Sequence, residues 1–412
     1  MNAAPNPADG ARAALLRWQR LGWPTTKSEA WRNFSTRPLQ GLALDGGIAG
    51  RPTELPALPT PRLVFIDGRY APEHAALGAL ADRIEVRALD ASRIDAERAA
   101  ARIDRLTPED GAMEALNTAL LSAGVYVRVP AGVEAGTLHL VHLVTGAGTA
   151  HVRTVVALER DASLTLAAHH LGLGDGAYFV NLVSEVDLAE GARLSLGKCV
   201  EEGPAGVHLE ALHARVGARA TLATYALSAR GERVRTAITA TLAGAGASAS
   251  VDGLYLGKGR STLDHVTDIR HAVPDTTSTE TWAGVLDERS EGGFQGVVRI
   301  ARDAARSATR QLTRTLLLSD DAQAHAKPEL HIDCDDVQAS HGATVGQLDA
   351  LEQFYLESRG NPPEDARRML IRAFVDKQLA LAPAGLRPLF AAAVARALGG
   401  ASEVAGENDD ES

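Results

Sequence analysis

Five versions of one phrase recur along the middle of this chain: AGTLHL at 135–140, DASLTL at 161–166, GARLSL at 191–196, GARATL at 217–222 and GASASV at 246–251. Each opens on a small or turn-forming pair and then alternates polar with apolar positions. Their starts lie 26, 30, 26 and 29 residues apart. A unit of this length cannot bury its apolar face alone, so a spacing of 20–50 residues implies units stacked on one another. Alternation of period two means strands, with every second side chain on one face. No helical stretch separates the copies. The product expected is a parallel β-helix over 124–346, in which inward Val, Leu and Ala form continuous ladders. The rival is a β-sandwich, which would show hairpin turn signals every 8–12 residues.

The same alternation extends beyond the phrases, in VYVRV (125–129), TLHLVHLV (137–144) and RLSLGK (193–198). Aromatic residues make up 4% of the chain and Gly numbers 39, so the core must be filled by aliphatic side chains. That suits thin repeated layers. A solenoid leaves strand edges at both ends that must be covered, and both flanks read as helical. Ala14, Leu15, Trp18 and Leu21 mark one face of a helix ending before Gly22, and a second helix is expected from Pro108 to Leu121. Residues 51–62, RPTELPALPTPR, read as irregular connection. At the other end Leu348, Leu351, Phe354 and Tyr355 fall at helical spacing before Gly360. Pro362–Pro363 opens a further helix with Ala366, Met369, Leu370, Ala373 and Phe374 on its apolar side. A third run covers 385–400, ahead of the acidic tail at 401–412, which reads as disordered. The expected organisation is therefore an N-terminal helical and irregular domain at 1–123, the β-helix at 124–346, a helical domain at 347–400 and the tail.

With 42 Lys plus Arg against 52 Asp plus Glu, the net charge of −10 opposes nucleic-acid binding, which depends on neutralising phosphates. No apolar run reaches the ~20 residues that span a bilayer. The N-terminus lacks the charged and apolar blocks of a secretory signal. Cys199 and Cys334 stand far apart in no metal-ligand spacing, so a disulfide framework is not expected and a reducing cytoplasm is the natural compartment.

Catalytic signatures are few. GLYLGKG (253–259) is one residue short of a phosphate-binding loop and lacks the Ser or Thr after Lys258. His169 and His170 are adjacent on a strand and point to opposite faces, as do His139 and His142, so neither pair chelates an ion by itself. His265 and His271 differ by six and can share a face. Ser340–His341 has no nucleophile elbow around it. Asp333 and Asp335 would share a strand face and offer a hard-cation site, as in a secreted β-helix polysaccharide enzyme holding Ca²⁺. That reading is weakened by the missing signal and by the few aromatics available to stack on sugars.

The run SHGATVG (340–346) lies between the extended-looking ELHIDCDDV (329–337) and the helix QLDALEQFYLESRG (347–360). Taken with FQGVVRIARDAARSATRQLTRTLLLSDDAQAHAKPELHI (294–332), PEDARRMLIRAF (363–374), DHVTDIRHAVPDTTS (264–278) and GWPTTKSEAWRNFSTRPL (22–39), it resembles the SufD branch of the SufB/SufD family of iron–sulfur cluster assembly scaffolds. The resemblance implies a right-handed parallel β-helix and a scaffold role without catalysis. It implies pairing with SufB through strands near 294–346, and docking of the SufC ATPase on C-terminal helices, with Phe354, Tyr355, Arg359 and Phe374 as candidate contacts. A homodimer is implied when SufB is absent. No tightly bound cofactor is expected. Iron or a nascent cluster would pass transiently at the SufB contact, with His341 as candidate ligand. The family commonly carries Cys two residues before this His, where this chain has Ala339; Cys334 is the alternative thiolate. The nearest alternative is a SufB-like cluster scaffold, in which Glu tends to follow the SH pair; here Gly342 follows.

Overall fold

A computed structural model describes residues 7–45, 47–50, 54–89 and 103–399. Its five α-helices among these residues are α1 (Pro7–Leu21), α2 (Ala112–Ala119), α3 (Ala350–Ser358), α4 (Pro363–Leu379) and α5 (Arg387–Ala397). Four short strands, β1 (Ile48–Ala49), β2 (Arg62–Ile66), β3 (Arg69–Tyr70) and β4 (Glu85–Leu89), precede the repeats. The repeats themselves are β5 (Ala123–Val129), β6 (Glu134–Val144), β7 (Ala147–Leu158), β8 (Ser163–Gly172), β9 (Tyr178–Leu188), β10 (Arg193–Glu201), β11 (Gly206–Val216) and β12 (Thr221–Arg230). They continue through β13 (Arg233–Leu242), β14 (Ser248–Gly257), β15 (Thr262–His271), β16 (Thr277–Leu286), β17 (Glu291–Ile300), β18 (Ser307–Leu317), β19 (Gln323–Ile332) and β20 (Val337–Gly346).

Consecutive strands go to different sheets. One sheet runs β19-β17-β15-β13-β11-β9-β7-β5-β4, and the other runs β20-β18-β16-β14-β12-β10-β8-β6-β2-β3. Every repeat strand pairs in parallel with the strand two places on, for example β8 with β10 and β11 with β13. Antiparallel pairing is confined, among the described residues, to β1–β7, β2–β3, β4–β5 and the isolated bridge Arg62–Ala76. This is a parallel β-solenoid, and the sandwich alternative falls because no repeat strand forms a hairpin with the next.

The repeat register differs from the phrase spacing in an informative way. Leu194 pairs Leu164, as the phrases align, but on its other side it pairs Leu222, two residues beyond the aligned position. The turn explains the slip. Gly191, Asp161 and Gly246 hold the left-handed conformation at the start of their coils, with φ of 70°, 58° and 74°. In the intervening coil Arg219 holds it, with φ of 55°, not Gly217. Arg is not a turn signal, so the sequence phrase anchors on the wrong residue. A slip of two leaves every side chain on its proper face, which is why the ladders survive it.

Inside, Leu164, Leu166, Leu194, Leu196 and Leu222 belong to one core cluster that runs from Ile48 to Ala322. Each such side chain fully buried contributes about 1.5–3 kcal/mol. The N-terminal region is not a separate helical domain. β2 pairs with β6 and β4 with β5, so both sheets begin in it. The stretch 23–44 then runs as a strap along the outer face of the β19-to-β4 sheet. Thr149 donates to the Leu44 carbonyl at 2.9 Å, Arg233 to Ser35 O at 3.1 Å and Arg235 to Ala30 O at 2.6 Å, with its guanidinium 4.1 Å over the Trp31 ring. Lys327 reaches Glu29 at 2.5 Å.

Helices α4 and α5 cover the outer face of the other sheet. Val375, Leu379, Leu386, Phe390 and Val394 pack on Ala167, Cys199, Tyr225, Leu254 and Val285. Gly197 is needed for this approach, since a Cβ there would stand 2.5 Å from Leu386 Cδ1. Cys199 is accordingly a core residue. The helical appendage is thus bound into the solenoid, and α1 ends at Leu21 and α3 before Gly360 (φ 94°), where the stop signals placed those ends. The tail at 401–412 lies outside the described residues.

Candidate functional site

The terminal coil carries the residues on which the resemblance bears. SHGATVG, read as the link between an extended segment and a helix, is itself part of a strand: β20 spans Val337–Gly346. ELHIDCDDV is split, its first four residues closing β19 and 333–336 forming the connection. Asp333 and Asp335 therefore do not share a strand face, and the hard-cation arrangement is not formed there. β19 and β20 each have one sheet neighbour, β17 and β18, and an open edge on the other side. Neither contains a buried residue. The open edges and exposed faces together form an unpartnered end of the solenoid.

His341 is exposed on β20 and pairs in register with Gln311, which pairs in register with Glu280. His341 thus stands at the end of an interior polar row. Gln311 Nε2 donates to Glu280 Oε2 at 2.7 Å. Burial, outweighing this bond, pushes the Glu280 carboxyl up to about 7. Glu280 Oε1, Gln311 Oε1 and Thr313 Oγ1 are buried without a hydrogen-bond partner. Ala339 occupies the register position of Thr309, and Cys334 is half-buried in the β19–β20 connection. His341 belongs to no group of three close ligand donors among the described residues. The other imidazoles of the terminal coil are engaged, His325 with Glu291 at 3.0 Å and His331 with Arg299 at 3.3 Å, so an iron at His341 would need donors from elsewhere.

Three other surfaces were read from the sequence with different success. Leu351, Phe354 and Tyr355 are exposed at 78%, 68% and 57%, and Met369 beside them at 47%. Arg359 lies 5.1 Å over the Tyr355 ring. Phe374 instead packs, half-buried, against the cluster that seats α4 and α5. His265 and His271 do share the inward face and are held by protein groups. His265 stacks between Tyr255 and Trp282, each 4.8 Å away, and bonds Ser228 at 3.0 Å. His271 bonds Thr276 and Ser278 at 2.7 and 2.9 Å.

The second polar centre was missed. His139 and His142 do face apart, as do His169 and His170, but coil stacking brings each to a partner from the next coil. His139 Nδ1 lies 2.9 Å from His169 Nε2 on the outer face. Within the solenoid His142 stacks on His170 at 4.7 Å, and His170 meets the His208 ring at 4.8 Å. His208 Nδ1 contacts Glu202 Oε1 at 2.8 Å, while Tyr178 donates to Glu202 Oε2 at 2.6 Å. Lys198 pairs with Glu210 beside them. Burial opposes charge on His208, yet the bonds and charges of Glu202 and Glu210 outweigh it and raise its pKa to about 9. Burial, with smaller contributions from the charges around it, holds His142 down at about 3. The available signal was HLVH in one coil and HH in the next, which pair as His142 with His170 once the true register is known.

The chain is thus a parallel β-solenoid with an open terminal coil, an N-terminal strap and a docked helical appendage. Residues 142–374 match the family of the SUF system FeS cluster assembly, SufBD core domain, and the chain belongs to that family. It is 28% identical over 383 residues to the iron–sulfur cluster assembly protein SufD of Escherichia coli (strain K12), covering 88% of this chain and 86% of that one. It is 28% identical over 396 residues to an iron–sulfur cluster assembly SufBD family protein of Synechocystis, covering 91% and 86%. A SufD of Bacillus subtilis is 29% identical over 279 residues, covering 66% and 63%. No helix among the described residues is long and apolar enough to cross a membrane.

Proposed function

We propose that this chain is a non-catalytic scaffold subunit of iron–sulfur cluster assembly, pairing with SufB through the open edges of β19 and β20 and docking the SufC ATPase on α3 and the start of α4. The observation that carries this reading is the conjunction of two uncovered surfaces at one end of the molecule. One is a pair of strand edges of the kind that add a further strand. The other is the apolar set Leu351, Phe354, Tyr355 and Met369, larger than scattered surface residues. Iron or a nascent cluster is cargo here, received by His341 together with thiolate from SufB. In the absence of SufB the same edges would pair two copies of this chain.

Removing 348–412 is a poor test, because α4 and α5 cover Tyr225, Leu254 and Val285 and their loss would uncover an apolar sheet face. The sharper variant is Leu351→Asp with Phe354→Asp, both at exposed positions. It should weaken SufC binding at least ~30-fold, the effect of losing a central apolar anchor of about 2 kcal/mol, with unchanged thermal unfolding. Retained affinity would place the contact elsewhere. For the metal, co-expression with SufB and SufC should give a complex that survives His341→Ala yet loads little cluster. Normal loading in His341→Ala with failure in Cys334→Ser would transfer the role to the thiol. Normal loading in both would leave this subunit with shape and docking only. Elution of the chain free of SufB and SufC would refute the scaffold reading itself.

A further inference from the structure

We propose that His170, His208 and Glu202 form an internal binding site for a first-row divalent cation of the Fe²⁺ or Zn²⁺ type, inside the N-terminal coils and far along the solenoid from His341. Each offers one donor atom, and the three atoms lie within 4.8 Å of one another. Among the described residues this is the one such group of three. All three side chains are nearly inaccessible, with relative exposures of 2%, 0% and 1%.

Three buried atoms at this place lack a hydrogen-bond partner: His170 Nε2, His208 Nε2 and Glu210 Oε2, the last two facing each other at 3.7 Å. Such orphans are costly and call for an unseen ion or water. An internal cavity of about 20 Å³ lies on the His170 and Glu210 side of the cluster, lined by His142, His170, Lys198 and Glu210 among others. It holds one small ligand atom at most. The donors are also held in place from behind. The His170 ring is stacked on His142, and Glu202 receives the Tyr178 hydroxyl on its other oxygen. Outer partners of this kind fix ligand orientation in metal sites.

The donor set selects the ion class. Two imidazoles and a carboxylate suit Zn²⁺ or Fe²⁺, whereas Ca²⁺ and Mg²⁺ require more oxygen ligands. Ligand atoms around a tetrahedral ion at ~2.0–2.1 Å stand roughly 3.4 Å apart, so small side-chain rotations close the site. Glu210 is already matched by Lys198, which leaves Glu202 as the counter-charge for the ion. Glu210 Oε2 or a water in the cavity completes the fourth position.

This site is independent of the scaffold reading, and the test separates them. Full-length protein is produced in medium supplemented with Fe²⁺ or Zn²⁺, and separately with Co²⁺ as a spectroscopic probe, then desalted and its metal measured. Wild type should retain close to one equivalent, with tetrahedral Co²⁺ absorption and a raised melting midpoint. His170→Phe keeps a flat ring in the stack and removes one ligand; it should lose at least tenfold in retained metal and show no midpoint shift. His341→Ala and Cys334→Ser should keep the equivalent. Equal retention by wild type and His170→Phe would overturn the proposal, as would metal-free wild type from all three media, which would identify the cavity as a water site. Retention lost in His341→Ala instead would assign the metal to the terminal coil. Preference for Fe²⁺ or Zn²⁺ in the competing media distinguishes the two ions.

Discussion

Acidification from pH 7 to pH 5 is expected to unfold the solenoid cooperatively, with the highest stability near about pH 6.5–7. Besides His170, held well below its ordinary value, five histidines are buried neutral, with burial as the leading cause in each. His142 and His265 are held down to about 3, and His151, His169 and His271 to about 4. The unfolded chain takes up these protons near 6.5 and the folded chain does not, so each group favours unfolding as pH falls below 6.5. The cost is about 1.4 kcal/mol per pH unit for each group. Five together approach 7 kcal/mol per unit, comparable with a typical whole stability of 5–15 kcal/mol. On the alkaline side the signs reverse. His208, raised to about 9, contributes stability that is full below 6.5 and is lost as pH climbs through 9. Glu280 and Asp252, both pushed up to about 7 mainly by burial, contribute stability that is complete only below the ordinary carboxyl range and is lost as pH rises through 7. Urea midpoints followed by circular dichroism across pH 4.5–9 check the profile. A flat line from pH 7 to 5 would contradict the buried-neutral assignment. Glu280→Gln keeps an acceptor for Gln311 and removes the charge, so at pH 8 it should stabilise by up to about 3 kcal/mol and steepen the acid limb, where the carboxyl no longer offsets the histidines.

Arg153→Met should cost about 3–5 kcal/mol, the range for breaking a buried ion pair on one side. Arg153 is fully buried on β7. Its Nη1 donates to Glu185 Oε1 at 2.9 Å, its Nε to Asn117 Oδ1 at 2.9 Å, and its Nη2 to Asp104 at 3.3 Å and to the Thr118 hydroxyl. The network ties two layers together. Glu185 also accepts the backbone N–H of Asp104 and Leu106, and Asn117 bridges the carbonyls of Val152 and Asn181. Removing the guanidinium leaves Glu185 as an uncompensated buried charge and removes one of the ties between α2 and the sheet. Adding Glu185→Leu to the first change should recover only part of the loss, because two backbone donors then lose their acceptor. Full recovery in the double variant would mean that the ion pair, and not the tethering of 104–118, carries the stability. Chemical denaturation of the single and double variants at pH 7 decides between these outcomes.

Both expectations come from residues that a linear reading passes over. Arg153 stands in an ordinary alternating strand, and nothing near it in sequence announces Glu185 or Asp104. The histidines are a similar case. Their facing apart within a strand followed from period-two geometry, but their meeting across coils depended on a register that the phrases misaligned by two residues at the irregularity between Glu134 and Thr137. Likewise SHGATVG was legible as a distinctive segment, yet not as a strand. With three glycine or alanine positions and no large apolar residue before Val345, it lacks the local signature of β20, and its extended form comes from pairing along β18.

Local chemistry was enough for the solenoid class, the helix ends at Leu21 and before Gly360, the burial of Cys199 and the family likeness, because those rest on periodicity, backbone preference and side-chain type carried by neighbouring residues. The open terminal coil, the strap of 23–44, the seating of α4 and α5 against Gly197 and the His170–His208–Glu202 cluster were decided only by tertiary structure. In each, the partners are one coil or many coils apart, and which of them meet depends on the stacking register and on which edges remain uncovered once the stack is complete.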